Sequence, residues 1–127
     1  MSEQRQAITA CLMRVQEELC CDIVLVLNLT NGNVLASVVN IDSTLAEQLL
    51  SLAVPYIMMT HRGMKVRDGA SEPIFDRQES EAAGYCYYFG YGTPGWVVVA
   101  LSRRRLMLGL ARAIVHQCVQ CLEALHT

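Results

Sequence analysis

Charge is scarce in this 127-residue chain: Asp, Glu, Lys and Arg make up only 17% of it, and the net charge is −2. The longest basic run is Arg103-Arg104-Arg105. Nucleic acids are held by extended cationic surface, so a nucleic-acid partner is not expected. No apolar run approaches the ~20 residues that span a bilayer. The N-terminal segment carries Glu3, Arg5, Arg14, Glu17 and Glu18, which does not suit a secretory signal peptide. A cytoplasmic location and reduced thiols are therefore expected for the six cysteines. No Gly-rich phosphate loop, HExxH or GxSxG occurs. Internal repeats and low-complexity segments are missing as well.

What is abundant is apolar: hydrophobic residues make up 53% of the chain, above the usual share. The length fits one domain over residues 1–127 with one core. So much apolar surface is more than one small domain needs, which predicts a surface for self-association or for a partner.

The chain is organised around Cys21 to Val39. Ile23 to Leu27 is apolar at every position, without the alternation of a half-wet strand, so it should be covered on both faces. Val34 to Val39 reads as its partner. The intervening Asn31-Gly32 tolerates positive φ and predicts a two-residue type I′ turn. Ser2 to Cys20 reads as a helix with a narrow apolar stripe of Ile8, Leu12, Val15 and Leu19. Asp42 to Arg62 reads as a second helix. Thr44 and Glu47 match a capping box, Gly63 suits the C-terminal stop, and Pro55 should kink or break the helix.

This second helix is apolar over more than half its circumference. Leu45, Leu49, Leu52, Tyr56 and Met59 form one face; Ala46, Leu50, Ala53 and Ile57 form another, extended by Val54. A helix on the outside of a small domain cannot bury so wide an arc on its own sheet. Either it is deeply buried, or the second face meets another chain.

Pro73 to Arg77 suggests a short edge strand, since Pro73 donates to no ladder, and Glu79 to Ala83 an exposed turn. Gly84 to Tyr91 reads as an aromatic strand, with Tyr85, Tyr87 and Phe89 on one face and Cys86 and Tyr88 on the other. Gly92 to Gly95 is a turn by composition. Trp96 to Leu101 is again continuously apolar and should lie beside the first strand. Ser102 to His126 reads as the closing helix, with Ser102 as N-cap, a main face of Leu106, Leu110, Ile114, Cys118, Cys121 and Leu125, and a widening of it by Leu108, Val115, Val119 and Leu122.

Few side chains suggest chemistry. Cys118 and Cys121 stand ~60° apart on a helix and could share a ligand, while His116 points ~140–160° away. Both fall on the apolar stripe, where cysteine is commonly a small core residue. A metal or disulfide completed by Cys20, Cys21 or Cys11 is the other reading. His61, His116 and His126 come with no nominated nucleophile or carboxylate. Arg103, Arg104 and Arg105 sit at the expected start of the last helix, where the dipole is unfavourable to cations. They are either a solvated helix start or a contact patch for an acidic partner or phosphate. The aromatic strand is either core or a partner surface.

The element order, the turn Asn31-Gly32-Asn33 after Asp22 to Val26, the small residues of Val34-Leu35-Ala36-Ser37 and the glycine turn before Trp96 to Val99 together resemble the roadblock/dynein light chain family over essentially the whole chain. The resemblance implies an α+β fold: a five-stranded antiparallel sheet with the first and last helices on one face and the middle helix on the other. It implies dimerisation through the middle helix and the adjacent sheet edge, here through Ala46, Leu50, Ala53, Val54 and Ile57. It implies a non-enzymatic scaffold or regulator that binds a small Ras-like GTPase or serves in a larger complex, as a homodimer or beside a related domain, without cofactor, metal or catalytic residue. The competing reading is a small-ligand sensor similar to PAS or GAF domains, which would carry a closed apolar pocket near Tyr87 or Trp96.

Overall fold

The computed structural model describes residues 2–68, 80–82, 84–92 and 95–125. In chain order these form α1 (Ser2–Leu19), β1 (Ile23–Asn28), β2 (Val34–Val39), α2 (Ser43–Asp68), β3 (Ser80–Ala82), β4 (Tyr85–Gly92), β5 (Trp96–Ser102) and α3 (Leu108–Leu125). The fold is α+β, with an antiparallel sheet in which β2, β1, β5 and β4 lie side by side and β3 pairs through three residues with the outer edge of β4.

The unbroken apolar runs take the central places. Ile23 to Leu27 are all buried, and β1 pairs with β2 on one side and β5 on the other. Every residue of β5 is buried. Alternation sorts these side chains into two cores. Val24, Val26, Cys86, Tyr88, Val98 and Ala100 pack with Leu12, Val15 and Leu19 of α1 and with Ala111, Val115, Cys118, Val119 and Leu122 of α3. Ile23, Leu25, Leu27, Tyr85, Tyr87, Phe89, Val97, Val99 and Leu101 pack with Ala46, Leu49, Ala53 and Ile57 of α2. The expected split of the aromatic strand is thus observed.

Gly90 sets how closely α3 approaches the sheet. A Cβ there would lie 2.6 Å from Val115 Cγ1 and 2.9 Å from Val119 Cγ2, closer than side chains pack.

Several local expectations are corrected. The β1–β2 connection is not a two-residue turn. It runs from Leu29 to Asn33, closed by Asn28 N–H to Asn33 O (2.8 Å) and Gly32 N–H to Asn28 O (2.8 Å). Only Gly32 in it has positive φ, 77°, whereas a type I′ turn needs two such residues. The pairing shifts register between Val26 and Leu27, which bulges β2 at Leu35.

Helix α2 is capped by Asp42, not Thr44: the Thr44 and Leu45 N–H groups donate to Asp42 Oδ2 at 3.1 and 3.3 Å. A carboxylate satisfies both donors and suits the positive end of the helix dipole. The helix runs through Pro55 and past Gly63 to Asp68. Glycine inside a helix costs only about 1 kcal/mol relative to alanine, so it stops a helix only where the backbone turns left-handed.

Ser80–Ala82, expected in a turn, pairs with β4, while the strand expected at Pro73 to Arg77 lies outside the described residues. Ser102 ends β5 rather than capping the last helix, which begins six residues later at Leu108. Its Oγ accepts from Arg104 N–H at 3.1 Å. The buried face of α3 is Ala111, Ile114, Val115, Cys118, Val119 and Leu122, and Leu110 and Cys121 are exposed.

Candidate interaction surfaces

The outward face of α2 differs from what periodicity alone nominates. Ala46, Ala53 and Ile57, expected to meet another chain, are 4%, 0% and 1% exposed and pack on the sheet. Leu50 and Val54 are half-buried on one flank. There Val54 and Met58 lean over the hairpin tip, each with an atom about 4 Å from where a Cβ on Gly32 would stand. The other flank is Leu45, Leu52 and Met59, exposed by 39%, 62% and 68%. These recur every seven residues, almost two full turns, and so form one line along the helix.

The sheet takes the face of Ala46, Leu49, Ala53 and Ile57. The bulkier stripe is turned out. Tyr56 marks its inner border, its ring centroid 4.9 Å from that of Tyr87 on β4, so the outward stripe runs on the β3–β4 side of the sheet. From Ser43 to Thr60 the only charged residue is Glu47. An uncharged helix face with three large exposed apolar side chains is unusual for water-facing surface.

Strand β2 forms the opposite edge, with Val34, Leu35 and Val39 at 39%, 47% and 39% exposure.

Arg103, Arg104 and Arg105 lie in the β5–α3 loop, not on a helix. All three are exposed, but Arg103 is held. Its backbone N–H donates to Asp22 Oδ2 at 3.0 Å, and its Nη2 donates to the Tyr85 hydroxyl at 3.1 Å. The guanidinium also lies over the Tyr85 ring, 5.6 Å from its centroid. The Tyr85 hydroxyl, and after it the Asp22 carboxylate, raise the Arg103 pKa.

Cysteine placement also diverges from spacing. Cys118 is buried and Cys121 exposed, although both line one groove between α1 and α3 together with Cys11. Instead Cys11 Sγ of α1 stands 3.1 Å from Cys121 Sγ of α3. Among the described residues, no cluster of three or more His, Cys, Asp or Glu could hold a metal ion. His116 is exposed on α3; the side chains of His61 and His126 lie outside the described residues. Spacing offers Cys20, Cys21 and Cys11 alike as partners for the α3 cysteines, and only the three-dimensional arrangement selects Cys11.

The places where a sensor would hold a ligand are filled. Tyr87 is 1% exposed and stacks on Tyr56 and Phe89. Trp96 is 5% exposed, and its ring lies where a Cβ on Gly92 would fall. A groove of about 520 Å³ lies elsewhere, between α1 and α3.

No model of a known protein family matches this chain, nor does any curated protein. Solved structures do match it. Myxococcus xanthus MglB superimposes with a TM-score of 0.72 at 21% identity, over 94% of each chain. An MglB structure described as having a tetrameric arrangement gives 0.69 at 16% identity, over 96% of this chain and 89% of that one. A Roadblock/LC7 domain from Streptomyces avermitilis gives 0.58 at 16% identity, over 83% and 85%.

The fold is roadblock-like.

At these identities the likeness concerns architecture. On the roadblock-like frame the outward stripe of α2 borders Tyr56, which packs on Tyr87 of β4, and the arginine loop lies between β5 and α3. Among the described residues no helix is long and apolar enough to cross a membrane.

Proposed function

We propose that this chain is a single roadblock-like domain over residues 1–127, working in the cytoplasm as a non-enzymatic dimeric scaffold or regulator. In this reading the domain is the full layered form: five strands, α1 and α3 on one face and α2 on the other. The dimer forms by antiparallel contact of α2 with α2 beside the β3 edge. The observation that carries the reading is the uncharged stripe of Leu45, Leu52 and Met59, turned out of the fold with nothing of this chain over it among the described residues. Leu50 and Val54 contribute only at a margin, and Ala46, Ala53 and Ile57 act indirectly, by setting the helix on the sheet. The tetrameric MglB supports association as a use of this fold.

The partner is a small Ras-like GTPase or a subunit of a larger complex, and Arg104 and Arg105 offer a cationic contact to an acidic surface on it. The filled surroundings of Tyr87 and Trp96 favour this reading over a ligand sensor.

The test is the mass in solution by light scattering over a dilution series, followed by binding of Ras-like GTPases loaded with GDP or a GTP analogue. The expected mass is twice the 14.1 kDa of one chain. A chain that stays monomeric at every concentration would overturn the dimer. Binding of no GTPase in either state would remove the GTPase and leave the scaffold.

A further inference from the structure

We propose that Cys11 and Cys121 form a reversible dithiol–disulfide site that locks α1 to α3 when a small disulfide of the glutathione type oxidises it. Two thiols 110 residues apart in sequence stand with their sulfurs 3.1 Å apart, each on a different helix. A disulfide bond is about 2.05 Å long, so the sulfurs need to close by about 1 Å. Both are free cysteines, and both line the open groove between the helices, together with Arg14, Glu18, Gln117 and Gln120. The groove admits a small oxidant. Cys118 lines the same groove but is buried; Cys21 and Cys86 are buried in the fold, and Cys20 is exposed at the end of α1 with its thiol on Glu17 O.

The two thiols have unequal roles. Cys121 is exposed and meets the oxidant first. Its thiolate attacks one sulfur of the small disulfide, breaks that S–S bond and releases one small thiolate, leaving a mixed disulfide on Cys121. Cys11 then gives its proton to water and attacks the Cys121 sulfur, expelling the second small thiolate. Two protein thiols are oxidised to one disulfide, one small disulfide is reduced to two thiols, and the released protons end on those thiols at neutral pH. Burial, and next its hydrogen bond with Cys121, push the Cys11 pKa up to about 11, so Cys11 stays protonated in the reduced site and is not the thiol that attacks first.

The test uses the full chain, reduced, freed of reductant and equilibrated in buffers of graded oxidised to reduced glutathione. Samples are quenched with acid, alkylated and read by intact mass and peptide mapping. The expected result is loss of the Cys11 and Cys121 thiols, no glutathione retained on either, a linked peptide joining Cys11 to Cys121, and a higher melting temperature oxidised than reduced; glutathione on the exposed Cys20 is mapped separately. Cys11→Ser should instead accumulate glutathione on Cys121, and Cys121→Ser should keep Cys11 reduced. Free Cys11 and Cys121 thiols at every ratio, a stable glutathione adduct on Cys121 of the wild-type chain, or a linkage through Cys118 would each overturn the proposal. The wild-type map decides it by itself if a serine variant fails to fold.

Discussion

Replacing Leu52 and Met59 with glutamate tests which face of α2 is the interface. Fully burying a Leu or Met side chain is worth about 2 kcal/mol. Leu52 still exposes 62% and Met59 68% in the single chain. Covering what remains of both, on both protomers of a symmetric dimer, corresponds to roughly 5 kcal/mol. Glutamates at these positions forfeit that and add like charges across the two-fold axis. At about 1.4 kcal/mol per tenfold, the double variant should weaken the dimer by at least about a thousandfold. It should keep its far-ultraviolet dichroism, because both side chains are mostly in water in the single chain, while its melting temperature falls and no longer depends on concentration. Sedimentation or light scattering over a dilution series reads the first quantity and dichroism the second. Ile57→Glu is the counterpart. It places a carboxylate where only 1% of the residue is exposed, among Leu25, Phe89 and Val99 of the same core, and should prevent folding. A folded monomer from Ile57→Glu together with an unchanged dimer from the double variant would refute the assignment, and restore Ala46, Leu50, Ala53, Val54 and Ile57 as the contact.

Gly90→Ala should destabilise the fold by about 1–3 kcal/mol, seen as a lower urea midpoint, because the added methyl meets two valines of α3 below 3.0 Å. This outweighs the fraction of a kcal/mol that alanine gains over glycine in a strand. Asp42→Ala should cost about 1 kcal/mol in the same assay, since it removes the acceptor for two N–H groups of α2, while Thr44→Ala should cost less. Burial raises the thiols of Cys21 and Cys118 from 9.0 to about 12. The folded pKa lies above the unfolded one, so their contribution is complete below pH 9 and is lost as pH climbs toward 12. Each should take roughly 1.4 kcal/mol of stability per pH unit in that window. Denaturant titrations at pH 8, 9 and 10 under reductant check this, and a flat profile would contradict it.

Much of the sheet could be read from pattern. An apolar run without alternation has nowhere to go except the middle of a covered sheet, which places β1 and β5 side by side. Alternation along β4 sends Tyr85, Tyr87 and Phe89 to one core and Cys86 and Tyr88 to the other. The stripe of α1 follows from period alone, and Leu12, Val15 and Leu19 are buried as it requires. Helix ends were less legible. Asp42 and Thr44 are both competent caps, and the choice depends on where the backbone turns. Arg103 looks like the start of a helix until Asp22 and Tyr85 hold it in a loop.

What the sequence determined by itself is therefore the order of elements, the central strands and the surplus of apolar surface, because hydrophobic period and run length are local properties. Only the tertiary structure decided which of two equally apolar faces of α2 lies on the sheet, because helical period marks both faces alike and the choice depends on which strand side chains each one meets. It alone brought Cys11 to Cys121, because contacts between residues 110 apart arise from how two helices share one face of a sheet and leave no trace in spacing.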